Sequence, residues 1–194
     1  MPIIDPNKNP VGVTERLKTE SNPAYRRMLE EVRFHIAVEA GGDIDSAIAR
    51  LAPSAEYVIY DSSLPPRTIK GREAIRKEFY LGLFDVIHPK LEWDIVLCMV
   101  DGQTVITEGQ QKNAVRGSAL LKMGIDADPN GLYLQDAHHL VIWPFDSELR
   151  LIGETVYQGC STPFTEVVKR PVKLSDLGDY VGPTFPVSQD PVSR

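Results

Sequence analysis

Residues 41–79, GGDIDSAIARLAPSAEYVIYDSSLPPRTIKGREAIRKEF, change structural character several times within one short span. Gly41-Gly42 predicts a helix stop, because glycine reaches the left-handed C-terminal conformation cheaply. Asp43 then caps a short helix whose Ile44, Ala47, Ile48 and Leu51 form a buried stripe, and Pro53 ends it. Residues 55–61, AEYVIYD, are β-branched and aromatic and predict a strand. Side chains alternate along a strand, so Ala55, Tyr57, Ile59 and Asp61 share one face. A polar Ser-Ser-Leu-Pro-Pro loop follows, and a third helix is expected over 72–84, with Ile75, Phe79 and Leu83 inward. A carboxylate, Asp61, thus stands at a strand mouth roofed by helices, which is a common way to build a small-molecule pocket.

Upstream, Asn22 and Pro23 predict a helix start. Tyr25, Met28, Leu29, Val32, Ile36 and Ala40 recur at helical spacing and make one apolar stripe. Residues 1–21 are polar and are expected to be an arm that gains order by packing on something else. Downstream the pattern turns to long strands. Trp93, Ile95, Leu97 and Met99 alternate with polar neighbours, and Asp101-Gly102 signals a hairpin. The return strand carries the polar run EGQQKN over 108–113, either a polar pocket wall or an exposed edge. A second hairpin is expected from Leu132–Trp143 and Glu148–Gln158. A C-terminal extension over 161–194 contains a short helix near Thr165–Lys169. Helices first and strands afterwards argue for an α+β fold. The expected form is a cone: a strongly curved antiparallel sheet with three N-terminal helices packed on its concave face.

The 194 residues are 42% hydrophobic and 25% charged, ordinary for one core-forming domain of 22–160 with terminal additions. A net charge of −6 disfavours nucleic acid, where basic residues must neutralise phosphates. No leader or membrane span is expected from the apolar pattern. Cys98 and Cys160 form no CxxC pair and are expected to be two buried thiols in a cytoplasmic protein. The four histidines lack zinc-site spacing, so neither a metal nor another cofactor is expected.

Three stretches resemble the nuclear transport factor 2-like superfamily, which includes SnoaL-like polyketide cyclases, ketosteroid isomerases, limonene epoxide hydrolases and phenazine biosynthesis proteins. They are GGDIDSAIARLAPSAEYVIYD, KGREAIRKEF and FDSELRLIGETVYQG, and their order and spacing extend the resemblance over about residues 22–160. The resemblance implies a cone-shaped fold and a hydrophobic small-molecule ligand. It also implies a homodimer through the convex sheet face. Ketosteroid isomerases use an Asp base and an oxyanion hole of Tyr and protonated Asp. Those positions fall near Asp61, on His35, and near Val141, whose nearest same-face polar neighbour is His139. The epoxide-hydrolase positions fall on Gly109, Gln111 and near Val156, with Glu154 one same-face step away. Neither chemistry is carried over intact.

The candidate catalytic residues are therefore Asp61 as base, with His35 and His139 as hydrogen-bond donors or proton shuttles. Asp61 can equally cap its loop, and His35 can equally be a satisfied core histidine. His138 and His139 are adjacent on a strand and must face opposite ways. Asp136 with His138 is a rival pair. Candidate ligand-binding residues are Tyr57, Trp93, His138, Trp143 and Glu154, the aromatics being equally suited to core packing. The expected function is cofactor-independent proton transfer (isomerisation, cyclisation or dehydration) on a hydrophobic cyclic, polyketide- or steroid-like molecule. The alternatives are a non-catalytic binding or association module and a water-activating, epoxide hydrolase-like enzyme.

Overall fold

In the computed structural model, which describes residues 1–61 and 64–182, six strands run side by side in one sheet. They are β1 (Glu56–Asp61), β2 (Leu64–Lys70), β3 (Glu92–Asp101), β4 (Thr104–Arg116), β5 (Leu132–Pro144) and β6 (Gly153–Gly159), in the order β2-β1-β6-β5-β4-β3. A seventh, β7 (Pro171–Val172), pairs with β5. Neighbours are antiparallel except β1 and β6, which run parallel. The sheet is curved and unclosed, and helices cover its inner face, as the α+β cone requires. No helix among the described residues is long and apolar enough to cross a membrane.

The helical layer is led by α2 (Pro23–Ala40), capped by the Asn22 side chain, and α3 (Ile44–Arg50), capped by Asp43. Met28, Leu29, Val32 and Ile36 of α2 are buried against the sheet. The expected third helix has three parts: α4 (Arg72–Ala74), a π-helical segment Ile75–Leu81, and α5 (Gly82–Val86). A π-helix is the rare, wide form that recurs at functional sites. The main core includes Met28, Ile36, Tyr57, Ile75, Trp143 and Val156. A smaller core joins Ile87, Val115, Leu120, Tyr133 and Val167 beneath α6 (Gly117–Lys122) and α7 (Phe164–Val167).

Three local expectations are corrected, and the N-terminal arm is found packed as a helix. Residues 64–70, expected to begin as loop, form β2; its two prolines are tolerated because β2 is an edge strand. The N-terminal segment holds a helix of its own, α1 (Val11–Thr19), whose Val13 and Leu17 are buried against β3. Leu97 and Met99 do not share the inner face with Trp93 and Ile95. The β3–β4 register shifts between Ile95 and Leu97, so Cys98 and Val100 turn inward while Leu97 and Met99 stay exposed. Cys160 is exposed, at a backbone φ of 49°, whereas Cys98 is half-buried and its thiol is pushed up to about 11 by burial. Ser62-Ser63 of the expected loop, and residues 183–194 of the expected C-terminal extension, lie outside the described residues.

Gly109 faces the irregularity in β3: a Cβ there would lie 2.0 Å from the Asp94 carbonyl oxygen. Gly109→Ala is therefore expected to destabilise the protein by about 1–3 kcal/mol, the usual cost of overpacking. A urea unfolding midpoint that does not move would show that the strands can separate there without cost.

Candidate active site

Four elements converge on one buried polar cluster. Tyr57 of β1 is in register with Glu154 of β6, so the parallel pairing sets the two side by side. His35 and Glu39 sit four residues apart on α2, on one helix face. Tyr80 comes from the π-helical segment. His35 Nε2 lies 3.0 Å from the Tyr80 hydroxyl, 3.1 Å from the Tyr57 hydroxyl, 3.1 Å from Glu154 Oε1 and 3.3 Å from Glu39 Oε1. The two hydroxyls are 3.1 Å apart, and Tyr80 donates to Glu39 Oε1. His35 is fully buried, and its ring meets Trp143 edge-on at 5.6 Å.

These contacts decide the charges. Desolvation alone would pull the His35 pKa down, but Glu39 and Glu154 outweigh it and raise it to about 10. Burial pushes Glu154 above the usual carboxylate range, against the opposing pull of His35, and Glu39 adds to the rise. Burial and then the nearby carboxylates hold the Tyr57 and Tyr80 hydroxyls well above the ordinary tyrosine range. The result is an imidazolium behind two carboxylates, with two neutral phenols available to share protons.

Glu39, Tyr80 and Glu154 also line a partly open cavity of about 70 Å³. Its other walls include Phe79, Leu83, Phe84, Trp93, His139 and Trp143. His139, on β5, is the inward member of the adjacent histidines, and Trp93 packs beside it with ring centroids 5.0 Å apart. Desolvation pushes His139 down to about 4, so it is neutral near pH 7. Asn9, just before α1, reaches the same cavity and accepts a hydrogen bond from the Trp93 backbone N–H at 2.7 Å. Within the polar run 108–113, Gln111 faces the cavity, whereas Glu108 and Gln110 bind His138 on the opposite side of the sheet.

The structure therefore brings together His35, Tyr57, His139, Trp93, Trp143 and Glu154. It does not bring Asp61 to them. Asp61 is in register with Gln158, and through it with His139, but at the far end of β1. There it contributes, with Tyr60, His138 and Tyr157, to a separate depression. His138 lies apart as well: its Nε2 is 2.7 Å from Glu108, and Asp136, the other member of the rival pair, is paired with Arg170 at 2.6 Å. Glu39 and Tyr80 were not expected. The signal for Glu39 was its position one helical turn after His35. Tyr80 had none, because the π-helix shifts the face that a regular helix would present.

His35, Glu39 and Glu154 each offer one ligand atom, all within 4.8 Å of one another, and could in principle hold a metal ion. Their fit to one is poor on the imidazole side. His35 Nδ1 is buried without a hydrogen-bond partner, whereas metal-bound imidazoles are normally oriented through that second nitrogen.

No protein-family model matches the sequence, and no curated protein matches it. Solved structures do. A protein from Jannaschia sp. CCS1, provisionally assigned as a SnoaL-like polyketide cyclase, is 17% identical, with 72% of this chain and 90% of that chain covered and a TM-score of 0.55. A protein of ketosteroid isomerase-like fold from Catenulispora acidiphila DSM 44928, solved in complex with trimethylamine, is 15% identical, covering 73% and 94% at a TM-score of 0.55. The epoxide hydrolase/cyclase-like enzyme SalBIII, which acts in pyran ring formation in the polyether salinomycin, is 17% identical, covering 70% and 92% at 0.51. The chain thus has the fold of the nuclear transport factor 2-like superfamily.

The two cavity-side histidines should titrate in opposite senses. His35 keeps its proton to about pH 10, so the stability it contributes is full below about 6.5 and is lost as pH rises through 10. His139 stays neutral down to about pH 4, so its contribution is present above about 6.5 and is lost as pH falls through 4. Imidazole nitrogen shifts measured by NMR at pH 8 should show one fully protonated buried ring and one neutral one. Two neutral rings would contradict the charge assignment.

Proposed function

We propose that the protein is a cofactor-independent enzyme that abstracts and returns a proton beside a carbonyl of a hydrophobic small molecule, as an isomerase, cyclase or dehydratase. A cyclic, polyketide- or steroid-like substrate matches the apolar lining. One observation supports this above all: a buried carboxylate, Glu154, on the wall of an apolar-roofed cavity with a fixed cation behind it. Burial raises the basicity of such a carboxylate toward neutrality, which suits a general base. In this scheme Glu154 takes the proton as the C–H bond breaks, and the electron pair moves onto the carbonyl oxygen. Neutral His139 is the neighbouring group able to donate a hydrogen bond, since Tyr80 gives its hydroxyl proton to Glu39. Return of the proton to another carbon completes an isomerisation; attack by the enolate carbon closes a ring. His35 is a positioning residue that holds the carboxylates. The names of the structural neighbours, a polyketide cyclase assignment and a cyclase-like enzyme among them, are consistent with this chemistry.

The alternative, a binding module, is favoured by the cavity's size. About 70 Å³ is well below the ~300 Å³ at which small-molecule pockets begin, so a larger ligand requires Phe79, Leu83 and Phe84 to move. Both readings are separated by one assay: exchange of the α-protons of cyclopentanone in D₂O, followed by NMR. Wild type is expected to accelerate exchange. Glu154→Gln should lower the acceleration by about 10²–10⁴-fold, the usual contribution of a general base, in protein that circular dichroism shows to be folded. Asp61→Asn should leave it unchanged. No acceleration by wild type supports the module, and loss in Asp61→Asn instead would place the base at the strand end.

A homodimer through the outer sheet face fits the same fold. Leu97, Leu140, Tyr157 and Tyr60 stand in one row across the register, interrupted by Glu108, and the two tyrosine rings stack at 4.8 Å. Tyr157→Asp should convert a sedimenting dimer to a monomer. A wild-type monomer at tens of micromolar would contradict this.

A further inference from the structure

Two segments far apart in sequence bind each other and then the same short stretch of cavity wall. Residues 3–9 and 176–181 join through the backbone: Ile3 N–H donates to the Asp176 carbonyl at 2.8 Å, and Gly178 N–H donates to the Ile4 carbonyl at 2.8 Å. The Asn7 side chain completes the join. It donates to the Asp179 carbonyl at 2.9 Å and accepts from Val181 N–H at 2.8 Å. The apolar anchor of the pair is small: Ile4 and Leu177 pack with Ala114 in a cluster separate from the main core.

Residues 90–93, at the start of β3, divide their contacts by alternation. Leu91 and Trp93 line the cavity. Lys90 is ion-paired with Asp179 of the second segment. Glu92 is 3% exposed and is held by the first: Asp5 N–H donates to it at 2.8 Å and Lys8 Nζ at 2.9 Å, with Lys112 of β4 adding a bond at 3.1 Å. Asn9 joins the two sides, since it lines the cavity and its Oδ1 takes the Trp93 backbone N–H. The wall is thus held from outside by polar, partly exposed contacts and one small apolar anchor, a combination that opens locally before a domain unfolds. We infer that residues 3–9 and 176–181 form one latch on the cavity wall, that it releases as a unit, and that its release is the way into the cavity. Movement of Phe79, Leu83 and Phe84 gives a ligand room; the latch gives it entry. An enzyme and a binding module need the same entry, so the latch is independent of the proposed chemistry.

Amide hydrogen exchange read residue by residue by NMR, together with thiol labelling, tests the latch. In the wild-type protein the amides of Asp5, Gly178 and Trp93 should share one protection factor, about tenfold or more below that of the β4–β5 ladder. Asn7→Ala removes the side-chain bonds to Asp179 and Val181 and leaves the cavity wall as it is. It should lower that shared factor about tenfold, as the loss of two hydrogen bonds implies. Gln111→Cys places a thiol on the cavity wall. Its labelling by iodoacetamide, followed by peptide mass spectrometry, should be slowed by the same factor as exchange at Trp93 and should quicken equally when Asn7→Ala is added. Separate protection factors for the three amides, or factors equal to those of the β4–β5 ladder, would show that no latch opens as a unit. A thiol labelled at an unchanged rate in Asn7→Ala, while exchange at Gly178 quickens, would show another way in. Either result overturns the inference. None of these readouts involves turnover, so they hold whether or not the protein accelerates α-proton exchange.

Discussion

A cation buried between two carboxylates is the constraint on which the rest of this structure depends. His35 is withdrawn from water, yet four oxygens from four different side chains surround its Nε2 within 3.3 Å. Such a group is tolerated only where opposite charge and hydrogen bonds replace the lost solvation. Supplying them ties α2 to β1, β6 and the π-helical segment at one point. The parallel pairing of β1 with β6 places Tyr57 beside Glu154. The π-helical widening places Tyr80 where its hydroxyl reaches both His35 and Glu39. Removing a carboxylate would strand charge in the core, so the cluster specifies the packing of the helices on the sheet as well as the chemistry of the cavity.

The architecture was legible in the sequence because it rests on patterns that survive tertiary context. The stripe on α2, the glycine stop at 41–42, the Asp43 cap and the Asp101-Gly102 turn all appear where local rules place them. What escaped notice depends on single-residue irregularities. An extra residue between Ile95 and Leu97 reverses which side chains face inward, and nothing in an alternating run marks where that occurs. The prolines of 65–66 signal a loop by composition, but an edge strand accepts them. The site was half legible for the same reason. Tyr57 followed from strand alternation, whereas His35, His139 and Glu154 came from positions that the family resemblance implies. Tyr80 followed from neither, because a π-helix has a different period. Asp61 has the face parity expected of a base, but its place at the far end of β1 keeps it out of the cavity that Glu154 lines.

The cavity combines opposite kinds of wall. One side holds charge and protons in Glu39, Tyr80 and Glu154; another holds neutral nitrogen groups in Trp93 and His139; the roof is apolar. Low polarity in the roof strengthens both poles, because little water screens them. The same property makes an unpaired charge there costly. Sites of this kind trade some stability for preorganised function. The enclosing residues Phe79 and Leu83 flank or lie on the π-helical segment, so the element that completes the charge cluster also closes the cavity.

The interdependence of His35 and Glu154 can be measured without knowing any substrate. A double-mutant cycle of His35→Gln, Glu154→Gln and the double variant, read by urea unfolding at pH 7, isolates their mutual interaction. If the imidazolium and the carboxylate hold each other in the core, the two losses will be non-additive, with a coupling of about 1–3 kcal/mol. Losses that add to within about 0.5 kcal/mol would show two independent buried groups and would contradict the account.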